Sequence, residues 1–124
     1  MSDKMRIINE SSVPFRRDNK SGPKYIARGP NLDFGVVRIL PGEDFSTHYH
    51  EEVEEIFYTL EGTCDIYVDA EKYSLGPGDF IQVPPKRDHY LRNTGSEPWT
   101  GVFVKSPYLP KDKVDKDWLP DGGK

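Results

Sequence analysis

This sequence predicts an all-β fold, closed into a barrel or stacked as a double-sheet jelly roll, and three observations predict it. The 11 glycines and 11 prolines recur between short apolar stretches, at Gly29-Pro30, Pro41-Gly42, Gly62, Gly76-Pro77-Gly78, Pro84-Pro85, Gly95 and Pro98. Short runs punctuated this often are strands joined by tight connections. The runs favour β-branched and aromatic residues, which suit a pleated, half-buried surface. No interior window shows the 3.6-residue period of an amphipathic helix.

Taken in order, residues 1 to 33 are polar and broken by Pro14, Pro23 and Pro30. They read as a short strand near residues 6 to 9 followed by a covering arm. The barrel itself spans residues 34 to 105. It opens with Phe34-Gly35-Val36-Val37-Arg38-Ile39-Leu40, stopped by the Pro41-Gly42 turn. An extended segment at 45 to 50 follows, then a strand at 56 to 61 ended by Gly62. Residues 63 to 69 and 72 to 75 form a hairpin turning across Ala70-Glu71. Strands at 80 to 83, 89 to 92 and 100 to 105 bring the total to about eight, and closure or stacking hides their edges. The tail, 106 to 124, packs over the barrel or over a partner subunit. A chain of 124 residues makes one domain of all this.

Composition excludes several classes of function. The net charge is −4 and the pI near 5.4, with the basic residues scattered and Arg16-Arg17 their densest pair. Nucleic-acid affinity rests on clustered Lys and Arg, so no nucleic-acid partner is expected, nor an anionic membrane surface. No apolar run approaches the roughly 20 residues of a membrane span. Residues 1 to 9 lack the apolar core of a signal peptide. The single cysteine, Cys64, cannot form an internal disulfide and reads as a small buried hydrophobe, so a reducing cytoplasm is the expected compartment.

The three histidines carry the chemistry. His48 and His50 stand two residues apart in an extended segment, so both imidazoles face one side and Tyr49 the other. His89 lies in a different strand. Glu51, Glu52, Glu54 and Glu55 follow the pair and offer a carboxylate. Strand parity leaves the choice open: Glu55 runs with Phe57 and Thr59, Glu54 with Ile56, Tyr58 and Leu60.

Residues 42 to 62 read Gly42, five residues, His48-x-His50, four residues, Glu55, six residues, Gly62. Residues 78 to 93 read Gly78, five residues, Pro84, then Lys86, then His89, three residues and Asn93. Together these resemble the two motifs of the cupin family, over about residues 36 to 105. The resemblance implies a double-stranded β-helix in which His48, His50, Glu55 and His89 are the metal ligands. It makes Asn93 a structural hydrogen-bonder. One position departs: the family usually carries glycine where Lys86 stands, so Lys86 must bear about 1 kcal/mol or more, or the turn must avoid positive φ.

Three imidazoles and a carboxylate suit one divalent transition metal, Mn, Fe, Ni, Co or Zn, and leave it with a charge of about +1. Open positions on such an ion take a small anionic or chelating ligand. The resemblance thus permits a metal-dependent enzyme acting on a small organic acid or sugar-derived substrate, of decarboxylase, isomerase, lyase or dioxygenase type. The alternative is a non-catalytic, metal-dependent small-ligand binding module, since one scaffold carries many functions. Candidates beyond the ligands are Arg38, which shares a face with Phe34, Val36 and Leu40 and can clamp a carboxylate from inside, together with Gln82 and Tyr49. Tyr58 and Tyr67 are further candidates for the cavity lining. Phe45, Phe57 and Phe103 read as core or pocket wall, and Glu51, Glu52 and Glu54 as solvated charges at the mouth. Cupin barrels commonly pair their sheets, so a homodimer is expected.

Overall fold

The turn signals mark real strand ends. In the computed structural model, which describes residues 5–120, the strands are β1 (Gly22–Arg28), β2 (Asp33–Ile39), β3 (Asp44–His50), β4 (Glu54–Glu61), β5 (Cys64–Val68), β6 (Glu71–Leu75), β7 (Phe80–Val83), β8 (His89–Arg92), β9 (Trp99–Ser106) and β10 (Lys113–Asp115). They form two five-stranded antiparallel sheets, ordered β1-β2-β9-β4-β7 and β10-β3-β8-β5-β6. This is the double-stranded β-helix that the sequence predicts. The ends of the expected arm and tail, residues 1–4 and 121–124, lie outside the described residues. No helix among the described residues is long and apolar enough to cross a membrane.

The core sits between the sheets and is built by strand alternation. Val37 and Ile39 from β2, Phe57 from β4, Trp99 and Phe103 from β9 meet Cys64, Ile66 and Val68 from β5 and Leu91 from β8. Burying each large apolar side chain contributes about 1.5–3 kcal/mol. Trp99 is wholly buried and satisfies its one donor on Thr59 Oγ1 at 3.0 Å. Gly35 faces inward on β2, where a Cβ would lie 2.3 Å from the Lys24 carbonyl and 2.5 Å from the Phe103 ring. Only glycine lets that ring cross the strand.

Three expectations need correction. Residues 6 to 9 are not a strand: the Asn9 side chain accepts from Ser11 N–H at 2.9 Å and starts a 3-10 turn at Glu10–Ser12, a local bond that competes with any ladder. A strand forms instead inside the stretch read as covering arm. That strand, β1, pairs only with β2, and an edge strand accepts Pro23 because one of its sides has no ladder to break. The β5–β6 turn falls on Asp69-Ala70, one residue earlier than expected, and both residues take positive φ (49° and 71°), the conformation that two-residue hairpin turns require.

The tail adds a tenth strand. β10 pairs with the β3 ligand strand, Lys113 opposite His50 and Asp115 opposite His48. Trp118 anchors it: its indole N–H donates to Asp88 Oδ2 at 2.6 Å, and its carbonyl accepts from Thr47 Oγ1 at 2.7 Å. Lys86 does adopt φ 67°, and its N–H donates to the His50 carbonyl at 2.6 Å, so the strained turn is tied to the strand that carries two of the histidines.

Candidate metal centre

His48 and His50 project inward from β3, and His89 is paired directly with His48 across the β3–β8 ladder. Glu55 comes from β4 in the opposite sheet. One donor atom from each of the four lies within 4.8 Å of all the others. His50 Nε2 is 3.3 Å, and His89 Nε2 3.2 Å, from the same oxygen, Glu55 Oε1. Glu54 lies on the other parity, where it accepts from Gln82 Nε2. The structure thus places Glu55 in the cluster and leaves Glu54 out.

Backbone carbonyls orient two of the rings. His48 Nδ1 lies 2.9 Å from the Ser46 carbonyl and His89 Nδ1 3.3 Å from that of Arg87. A carbonyl only accepts, so Nδ1 carries the proton, the tautomer that leaves the Nε2 lone pair for a metal. His89 then points Nε2 at a carboxylate oxygen that also only accepts. Either a second proton or a shared cation must lie between them. Two ligands at about 2.1 Å from one ion and at right angles stand about 3 Å apart. The observed separations from Glu55 match that spacing, and the donor set fits a divalent transition metal.

The electrostatics point the same way. Burial, and then the neighbouring His89, lower the His48 pKa from 6.5 to about 4, so the imidazole is neutral at pH 7. Burial pushes Glu55 upward, but its bonds to His50 and His89 and the charge of Lys105 outweigh this and hold it below the ordinary carboxylate range. The loop joining His50 to Glu55 is held by the tail: Asp112 Oδ2 accepts from the N–H groups of Glu52 (2.8 Å) and Val53 (2.9 Å).

Three of the four, His48, His50 and Glu55, line a cavity of about 350 Å³, and His89 is buried behind them. That is the low end of the range of about 300–1,000 Å³ typical of small-molecule sites. Phe45, Phe57 and Phe103 line its wall, as expected. Arg38, Gln82 and Tyr49 do not line it. Arg38 stacks over Phe15 at 4.7 Å and donates to Thr100 Oγ1, because the inward parity on β2 belongs to Asp33, Gly35, Val37 and Ile39. Gln82 is exposed and held by Glu54, and Tyr49 faces outward beneath Lys116. Tyr58 and Tyr67 are also absent from the lining. Glu51 and Glu52 are exposed. Asn93 is wholly buried and donates to the carbonyls of Ile39 (2.8 Å) and Glu97 (2.9 Å), the structural role expected of it. Burial raises the Cys64 thiol to about 12, which makes it inert. Sequence reasoning missed Tyr25, Asp33 and Lys105 in the lining, with Arg16, Arg17 and Arg28.

Comparison with known proteins agrees with this architecture. The family model described as the cupin domain matches residues 35–105. Polyketide synthase CurC of Streptomyces cyaneus is 36% identical over 80 residues, 64% of this chain and 52% of that protein. Quercetin 2,3-dioxygenase of Bacillus subtilis is 36% identical over 56% of this chain and 21% of the enzyme. Matches to curated relatives such as CurC thus span only about half of their length. A Klebsiella pneumoniae protein with a double-stranded β-helix domain superposes with a TM-score of 0.78 at 17% identity, covering 92% of this chain and 99% of that one.

Proposed function

The chain belongs to the cupin family, and from that premise we propose that it is a metal-dependent enzyme acting on a small organic acid or sugar-derived substrate. The observation that carries this is the convergence of His48, His50, Glu55 and His89 on one another, three of them lining a cavity with aromatic walls. The reading makes these four the ligands of one divalent transition metal. Bound there, the ion would supply Lewis acidity toward a substrate oxygen. The Ser46 and Arg87 carbonyls hold two imidazoles in the tautomer that presents Nε2, and Phe45, Phe57, Leu91 and Phe103 keep bulk water from the ligand oxygens. Among the reactions open to such a site, dioxygenation draws support from the similarity to quercetin 2,3-dioxygenase.

The test is turnover. Protein loaded with each candidate metal and offered a panel of organic and sugar acids should consume at least one of them, with or without O2, and chelation should stop the reaction. A ligand that raises the melting temperature but is never converted would assign the chain to the non-catalytic binding class instead.

The same reading includes a homodimer. The outer face of the β1-β2-β9-β4-β7 sheet leaves Phe34, Tyr58, Leu60 and Phe80 between 38% and 55% exposed. Sedimentation should give twice the 14.2 kDa chain mass, and Phe80→Glu should return it to one. A single-chain mass for the unmodified protein at high concentration rules the dimer out.

A further inference from the structure

Four charged residues of alternating sign form one row across the inner face of the first sheet. Arg28 on β1 stands opposite Asp33 on β2, Asp33 opposite Lys105 on β9, and Lys105 opposite Glu55 on β4. Glu55 belongs to the metal cluster; the other three have no part in it. Asp33 is 3% exposed, yet its Oδ1 has no hydrogen-bond partner, and the nearest cation, Arg28 Nε, is 3.9 Å away. Lys105 is half-buried and donates to the Tyr25 hydroxyl at 2.6 Å. Over the Tyr25 ring lie the guanidinium groups of Arg28 at 4.4 Å and Arg16 at 4.6 Å. All of these residues line the cavity that His48 and His50 also line.

A buried acceptor left without a donor is costly and in native proteins calls for an explanation. Several cations gathered at one cavity in an otherwise acidic chain call for a second. One ligand answers both. We propose that Lys105, together with the Tyr25 hydroxyl, takes the carboxylate of the substrate, and that Asp33 accepts a hydrogen bond from a hydroxyl of the same molecule. The substrate is therefore a hydroxylated organic acid, with one oxygen function at the metal and its anionic group on the Lys105 side. Arg16 and Arg28 at the mouth draw it in. Neighbouring strands lie about 4.8 Å apart, so Asp33 stands two spacings, about 10 Å, from Glu55 along the row, and with a contact distance taken up at each end the gap suits a backbone of about four to six atoms.

This inference rests on the metal-centre reading, and the experiment separates the two. Calorimetric titrations of zinc-loaded protein with succinate, malate and gluconate, with metal content measured on every sample, are run for the unmodified chain, Lys105→Met, Tyr25→Phe and Asp33→Asn. Arg38→Met, which removes a cation away from the cavity, is the control. The unmodified protein should prefer malate and gluconate to succinate. Lys105→Met should weaken all three by at least about tenfold, as loss of a charge-assisted bond does, with metal content unchanged. Tyr25→Phe, a milder change that keeps the ring, should weaken them severalfold. Asp33→Asn should leave succinate unaffected and abolish the preference for hydroxyl groups. Wild-type affinities in both Lys105→Met and Tyr25→Phe, or no binding by the unmodified protein, would overturn the carboxylate site. A hydroxyl preference that survives in Asp33→Asn would overturn the role of Asp33. Acid binding that depends on Lys105 in a chain that takes up no zinc would sink the metal centre while leaving this inference standing.

Discussion

His89→Ala should leave the purified protein with less than about a tenth of the metal that the unmodified chain carries, and His50→Ala should do the same. Changes to residues that merely orient metal ligands cost about 10–100-fold in affinity, so loss of a ligand itself should exceed that range. His89 is 1% exposed, and its truncation also opens a cavity beside a buried carboxylate. A stability loss of about 2–4 kcal/mol in chemical denaturation should therefore accompany the loss of metal. The two glutamates provide the internal control. Glu55→Gln keeps the shape but removes the charge shared by His50 and His89, and metal retention should fall. Glu54→Gln touches only the Gln82 contact and should retain the metal. Elemental analysis of the five proteins decides it: full occupancy in both histidine variants is incompatible with this ligand set, and the reverse ranking of the glutamates would place the wrong one at the metal.

Much of this site was legible because the signals were local. The His48-x-His50 pair needs only strand alternation to bring two rings to one face, and β7 and β8 lie where the turns around Gly78 and Pro84 bound them. Glu55 was not decidable from parity, because both faces of β4 carry apolar residues: Phe57 toward the core, and Ile56, Tyr58 and Leu60 outward. The same apolar outer face explains the misplacement of Arg38. Phe34 and Val36 looked like the inward side of β2, whereas the true inward side carries Asp33 and Gly35, which do not read as core.

What stayed hidden was non-local. A three-residue strand such as β10, flanked by lysine and aspartate, has no pattern of its own and exists because β3 offers it an edge. β1 was masked by Pro23, which only an edge position tolerates. Lys105 did leave a trace: it continues the Gly101, Phe103 parity of β9, and a charge on the inward side of a strand is a candidate for function. Its neighbours in the row, from three other strands, could be known only from the sheet order.

Acidification should destabilise the fold in two separable stages. The His48 pKa is lowered by burial, and then by His89, from 6.5 to about 4. A depressed folded-state pKa means that the unfolded chain binds the proton first, so stability rises with pH across the gap between the two values. The contribution of His48 is therefore complete above about pH 6.5 and is lost progressively down to about pH 4. A gap of about 2.5 units corresponds to about 3 kcal/mol at most. Glu55 is also depressed, by its histidine partners and Lys105 against the opposing effect of burial, so its contribution persists above the ordinary carboxylate pKa and disappears only below it. Between about pH 6.5 and 4.5 the loss thus comes from His48, and the Glu55 carboxylate joins it further down. Bound metal sharpens the first stage, because protons and the metal compete for the same imidazole nitrogens and the ion should leave cooperatively. Metal content and melting temperature measured together from about pH 7.5 to about pH 4 should fall in step for the unmodified protein. In His48→Ala the metal-linked component should be missing, leaving a shallower decline. If the two proteins gave superimposable profiles, His48 would be neither a ligand nor a buried neutral imidazole, and the proposed centre would lose one of its four members.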